Sequence, residues 1–149
     1  FKNFDFTGIE PFTMVVLFYD PTLKILEFKW DGESKSLGEK DNSTPHLWAS
    51  AQLYTKESIE NRVKWFEKWL NEHDDYSTSS TMAFHRNAGS GDLKNDMVMD
   101  RGIVKTVSIT NISSKKGLVE MTHQNLLKNS TQILSLSQHI NQRFSHHVL

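Results

Sequence analysis

Residues Phe12 to Tyr19 (FTMVVLFY) are apolar at nearly every position, so a strand formed there has no polar face to offer water. Such a run belongs to a strand covered on both sides. It demands material above and below it, and little chain precedes it. The expectation is a later part of a larger layered domain, with the chemistry-bearing part upstream.

Bulk properties narrow the function classes more than they choose among them. At 149 residues the chain suffices for one domain. Its 17 basic and 18 acidic residues nearly cancel, which lacks the basic excess of a nucleic-acid binder. No apolar run approaches the roughly 20 residues that span a bilayer. The start shows no basic segment followed by an apolar one, so no signal peptide is expected. Cysteine is absent, which removes disulfides, thiolate catalysis and Cys-type zinc sites from these residues. We expect a cytoplasmic protein with no cofactor, no metal, no nucleic-acid partner and no membrane span.

Along the chain, Asp20-Pro21-Thr22 reads as a turn. Leu23 to Trp30 alternates, with Leu26, Phe28 and Trp30 on one side and Ile25, Glu27 and Lys29 on the other. The two strands make a hairpin, and Asp31-Gly32 ends the second. Residues 33–45 are polar and read as a surface loop, and His46 to Tyr54 as a third strand. Thr55 caps a helix with acidic residues Glu57 and Glu60 near its start, where the helix dipole favours negative charge. Ile59, Val63, Phe66 and Leu70 form its apolar stripe, widened by Trp65 and Trp69. Thr81 to Ala88 predicts a short second helix ended by Gly89. Met97 to Ile112 leads into a fourth strand, with Ile103, Val107 and Ile109 on one face. Ser113 to Gly117 reads as a hairpin turn and Leu118 to Thr122 as a fifth strand. Residues 125–149, rich in Asn, Gln, Ser and His, show no clean stripe and read as a polar helical or disordered tail.

Taken in order, a series of short motifs resembles the C-terminal part of the NRDE family, relatives of the transport and Golgi organisation proteins. The segments are Glu10-Pro11-Phe12-Thr13, Phe28-Lys29-Trp30-Asp31-Gly32 and Pro45-His46-Leu47-Trp48-Ala49-Ser50. Leu53-Tyr54-Thr55, Trp65-Phe66 and Phe84-His85-Arg86-Asn87-Ala88-Gly89 follow, and the run Met99-Asp100-Arg101-Gly102 to Thr110 closes the series. The likeness covers residues 8–125 and implies that residues 1–124 are the C-terminal part of an Ntn-hydrolase-like domain.

That resemblance implies an α+β fold of the αββα sandwich type, of which this chain supplies only part. It also implies, for the full-length form, hydrolysis of non-peptide amide (C–N) bonds by an N-terminal cysteine whose own amine acts as base. Neither that cysteine nor the Asn-Arg-Asp-Glu motif occurs in this sequence, so the chain alone is expected to be inactive. Relatives of the transport and Golgi organisation type imply another class, a non-catalytic binding or trafficking protein that handles haem or lipid. Either way the expected partner is a small-molecule substrate or ligand. Self-association through exposed apolar strands is expected as well.

Two supporting positions follow from the resemblance. Ser50 stands where acylase relatives carry an oxyanion-donating asparagine, and Arg101 matches an arginine that shapes the nucleophile's field. Each has a plainer reading. Ser50 is a small residue between layers, and Arg101 a strand-end arginine facing Asp100 or Asp96. His85, Arg86 and Asn87 form either a polar cluster or a helix end. None of the seven histidines shows a metal-ligand spacing on a convincing helix, and His146-His147 offers only adventitious binding. Trp65 and Trp69, at helical spacing beside Phe66, read as packing. Lys115-Lys116 reads as a solvated turn.

Overall fold

Asp31 and Gly32 do more than end a strand. The Asp31 carboxylate accepts the backbone N–H groups of Glu33 (2.9 Å) and Ser34 (2.7 Å) and the Ser34 hydroxyl (2.7 Å). Gly32 takes the positive φ (102°) that the tight reversal needs. The chain therefore folds back on itself, and Lys35–Lys40 pairs along the preceding strand. This corrects the loop expected over residues 33–45. An Asp-Gly pair after an alternating strand is a hairpin signal, strong enough to carry a polar segment into the sheet.

The computed structural model describes residues 3–18, 22–50, 53–115 and 117–137. Two antiparallel three-stranded sheets and two helices give a small α+β fold. The chain divides into two units, Phe1–Val63 and Lys64–Leu149.

In the first unit, β1 (Phe12–Phe18), β2 (Lys24–Trp30) and β3 (Lys35–Lys40) lie in that spatial order. The pairings Phe12 with Trp30, Met14 with Phe28 and Phe28 with Leu37 put the large apolar residues on one face. Phe6 is buried against that face, stacked on Trp30 at 5.5 Å and tilted against Phe12. The Trp30 indole donates to the Ile9 carbonyl (2.8 Å), which ties the leading segment to the sheet. Beyond this anchor, Met14, Leu17 and Phe18 on β1 are each more than two-fifths exposed. The other face carries Thr13 and Val15, then Glu27 and Lys29, then Gly38 and Lys40.

The strand expected over His46–Tyr54 is not present among the described residues. Residues 41–50 form an irregular segment held by side chains, and Leu53 and Tyr54 lie in a turn before the helix; residues 51 and 52 lie outside the described ones. The His46 ring meets the Asp41 carbonyl at 2.6 Å, and Trp48 is anchored on β2. α1 (Lys56–Glu72) begins as expected, with Thr55 Oγ1 accepting the Ser58 N–H (3.2 Å) and Glu57 in the first turn. Its most buried residues are Ser58 and Arg62 rather than the apolar stripe. The Arg62 guanidinium lies 3.9 Å over the Tyr54 ring, a cation–π contact that lets an arginine be buried.

In the second unit, Ser77 caps α2 (Thr78–Asn87) by accepting the Ser80 N–H. Phe66, Trp69, Tyr76 and Phe84 form one aromatic cluster with ring spacings of 5.1 to 6.1 Å. β4 (Ser108–Lys115), β5 (Leu118–Asn125) and β6 (Ser130–Ser137) follow in order. Thr78 donates to Asn111, and Arg86 to Gln124, so α2 lies on the face that buries Ile109 and Thr122. On the opposite face Ile112, Leu134 and Leu136 are each more than half exposed.

Several expectations about this unit are corrected. α2 begins at Thr78, before the expected Thr81, because Ser77 caps it, and residues 113–115, expected in a turn, extend β4 in register with β5. The fourth strand begins at Ser108, and residues 97–107 form a loop whose Asp100–Lys105 bridge places Ile103 fully in solvent. Residues 130–137, expected inside a helical or disordered tail, form β6. Asn129 adopts a left-handed φ (47°) and Asn125 accepts the Lys128 N–H, so the chain turns tightly back onto β5. Residues 138–149, including His146 and His147, lie outside the described residues.

Candidate functional site

β2 places one carboxylate where few strands carry one. Glu27 is 8% exposed, and an unpaired carboxylate at such a depth is costly. Three donors meet it. The Lys29 and Lys40 ammoniums approach Oε1 at 3.1 and 3.2 Å, and the Trp48 indole N–H donates to Oε2 at 2.5 Å. Lys29 reaches it because it lies two residues along the same strand, on the same face. Lys40 reaches it diagonally across the sheet, past Gly38, which stands directly opposite Glu27 and presents no side chain. Burial pushes the Glu27 carboxyl up, and the hydrogen bonds from Trp48, Lys29 and Lys40 outweigh it, leaving the pKa below the ordinary value.

A cavity of about 260 Å³ opens beside this cluster, lined by Glu27, Lys29, Lys40, His46 and Trp48 among others. The His46 and Trp48 rings lie 5.4 Å apart and form its aromatic side. A second cavity of about 730 Å³ shares Thr13, Lys29, Trp48 and Ala49 with it and continues past Pro11 and Val15 to Ser50. Ser50 is exposed at its rim, in the irregular segment that follows Trp48.

Arg101 belongs to the second unit, in the loop between α2 and β4. Its Nε donates to the Lys94 carbonyl (2.7 Å), and its backbone N–H to that of Val104 (2.9 Å). Ser50 and Arg101 thus fall in different units, and each has a local environment of its own.

Of the helix-end trio, Arg86 binds Gln124 on the sheet, and burial pushes His85 below the usual imidazole range. A groove of about 380 Å³ runs along Trp65, Trp69, His73 and Phe84. Trp65 and Trp69 are half-buried there, with Trp69 inside the aromatic cluster. Among the described residues, no three His, Asp or Glu side chains are grouped to hold a metal ion, and no helix is long and apolar enough to cross a membrane.

The Glu27 cluster escaped the sequence reading. Glu27 and Lys29 on one face of an alternating strand were its only visible sign, and that pattern ordinarily marks a solvated face. Lys40 joined them only once residues 35–40 had become a strand. No known protein family, curated protein or solved structure matches the chain.

Proposed function

We propose that this chain is the C-terminal part of an NRDE-family protein of the αββα Ntn-hydrolase type, acting in the cytoplasm. In that reading it forms one wall of a site for hydrolysis of a non-peptide amide bond. The observation that carries the reading is the position of Ser50 on the rim of the 730 Å³ cavity, where a hydroxyl can donate to an oxyanion. The exposed apolar faces of both sheets support it, since sheet layers in a sandwich bury such faces. In this reading the nucleophile is a cysteine that these 149 residues do not contain, and no turnover is expected from them alone.

The test compares the 149-residue chain with the polypeptide translated from the coding sequence that includes residues ahead of Phe1. The expected upstream sequence opens Met-Cys and carries Asn-Arg-Asp-Glu, and only the longer form releases amine from N-acyl amides. Removing an oxyanion donor costs roughly 10²–10³ in kcat, so Ser50→Ala in that form should lower kcat while leaving KM nearly unchanged. Turnover by the short chain, or an upstream sequence without the cysteine, refutes the reading.

A second reading is favoured by the apolar part of the same cavity, to which Pro11, Val15 and Trp48 contribute. The protein would then bind an apolar ligand such as a haem or lipid without transforming it. Saturable ligand binding by the longer form, with no amine released from any amide, selects this alternative.

A further inference from the structure

The salt-bridge cluster on β2 and β3 leaves charge uncompensated. Two ammoniums, Lys29 and Lys40, converge on a single oxygen of Glu27, whose other oxygen is taken by Trp48. Each ammonium carries three N–H donors and gives Glu27 one of them. The side chains are not sunk with their partner: Lys29 is 51% exposed and Lys40 35%, against 10% for Glu27. The remaining donors are therefore available at the 260 Å³ cavity that both lysines line. Gly38, opposite Glu27, leaves the adjoining strand bare, and a methyl group built there meets nothing within 4 Å.

We propose that this cavity binds a small organic carboxylate with a flat apolar body, its head on Lys29 and Lys40 and its ring along Trp48. The excess of one positive charge matches a monoanion and leaves a dianion under-neutralised. The hydrogen bond to Glu27 fixes the indole, so the wall stands in place before a ligand arrives, which lowers the cost of ordering it. Trp48, with Leu47 and Ala49, lends an apolar strip to a lining that is otherwise polar, and a flat ring can lie along the indole. Glu27 acts as the positioning residue: it aims both ammoniums and the indole without touching the ligand. The inference stands apart from the hydrolase reading, because its readout is binding to a chain in which no hydrolysis is expected.

The test titrates the 149-residue chain with sodium benzoate, sodium acetate and inorganic phosphate at constant ionic strength. The signal is the Trp48 indole N–H resonance, assigned with Trp48→Phe. Benzoate should shift it saturably, and acetate should bind about tenfold more weakly for want of a ring. Hydrogen bonds to charged groups are strong enough that losing one weakens binding roughly tenfold or more. Lys40→Met should show that loss, and Lys29→Met, at the more exposed position, gives the same test should the first variant fail to fold. Glu27→Gln removes the charge that aims both ammoniums and should weaken benzoate binding, and tighter binding would overturn the positioning role given to Glu27. No saturable shift with benzoate overturns the proposal, as does binding unchanged in the lysine variants. Phosphate binding in place of benzoate overturns the ligand class, and equal affinity for acetate overturns the role given to Trp48.

Discussion

The Trp48 indole N–H donates to the Glu27 carboxylate across 21 residues of sequence, and this bond joins the irregular segment 41–50 to the middle strand of the first sheet. A buried acceptor that loses its donor suffers the desolvation penalty of that group, about 1–3 kcal/mol and more for a charged one. Trp48→Phe keeps most of the ring and removes the donor. It should lower unfolding free energy by about 2 kcal/mol in urea titrations, whereas Trp48→Phe in a Glu27→Gln background should cost clearly less. Equal losses in the two backgrounds would mean that the ring's packing, and not its N–H, anchors the segment.

The same cluster sets a pH dependence. The hydrogen bonds from Trp48, Lys29 and Lys40 overcome burial and depress the Glu27 pKa below 4.5 in the folded chain. A depressed carboxyl stabilises the fold above its unfolded pKa, and that contribution fades as pH falls through the lower folded value. Melting temperatures of the wild type and Glu27→Gln should therefore differ most at neutral pH and converge as pH falls through the depressed folded value. A gap that is constant from neutral to acid pH contradicts the assignment.

How far the sequence could be read follows from what each element needs. α1 is a local object, with a capping hydroxyl, an apolar recurrence and a dipole-compatible charge contiguous in sequence, and it occurs where those signals placed it; α2 starts at Thr78, ahead of the expected Thr81, because Ser77 caps it. β3 and β6 are not local. Lys35–Lys40 has neither β-branched residues nor alternation to recommend it, and it becomes a strand because the Asp31 turn delivers it to β2. β6 does alternate, with Leu134 and Leu136 on one face and Ile133 on the other, yet a search for helical stripes in an Asn- and Ser-rich segment passes over a period of two. Segment 46–54 erred the other way. Its aromatic and small residues look strand-like, but the His46 and Trp48 rings bond to Asp41 and Glu27, and the described residues 46–50 form no strand. Ser50 carries no sequence pattern of its own and stands out only through the resemblance. Glu27 and Lys40 were out of reach, since a site assembled by pairing register is invisible until the register is known.

The Asp31 turn offers a sharper titration. Bonds from the Ser34 N–H, the Ser34 hydroxyl and the Glu33 N–H pull its pKa from 3.8 to about 2. Because the folded value lies below the unfolded one, the turn's contribution is complete above pH 3.8 and disappears as pH falls toward 2. Asp31→Asn should lower the melting temperature at pH 6 and match the wild type near pH 2. Amide exchange at Lys35 to Lys40 should speed up in the variant at neutral pH, since β3 depends on that turn for its register. Unchanged protection of β3 would show that the strand holds its place without the Asp31 carboxylate.

Ser50 and Arg101 should separate in their effect on folding. Ser50 is exposed and makes no hydrogen bond to the described residues, so Ser50→Ala should move stability by no more than about 0.5 kcal/mol. Arg101 holds the 94–104 loop through the Lys94 carbonyl, and a bond from a charged donor contributes about 1.5–3 kcal/mol. Part of that is lost to solvent at an exposed position, so Arg101→Met should cost about 1 kcal/mol. If Arg101→Met leaves unfolding unchanged in urea, the loop does not depend on its guanidinium.

Two glycines at backbone conformations open to any residue should respond in opposite directions to the same substitution. Gly38 lies in β3 with open space where a side chain would go. Glycine inside a strand costs roughly 0.5–1 kcal/mol relative to alanine through the entropy of the unfolded chain. Gly38→Ala should therefore stabilise the protein and raise its melting temperature by a few degrees. At Gly89 an added methyl would overlap the Asp96 carboxylate, whose two oxygens accept the Ser90 and Gly91 N–H groups at 2.7 and 3.0 Å. The carboxylate cannot step aside without releasing both bonds, so Gly89→Ala should cost about 1–3 kcal/mol, the usual range for overpacking. The collision predicts its own coupling: once Asp96→Ala has removed the carboxylate, Gly89→Ala should cost little more, and the double-mutant cycle should show the two losses strongly non-additive. Additive losses would mean that the methyl group and the carboxylate never compete for the same space.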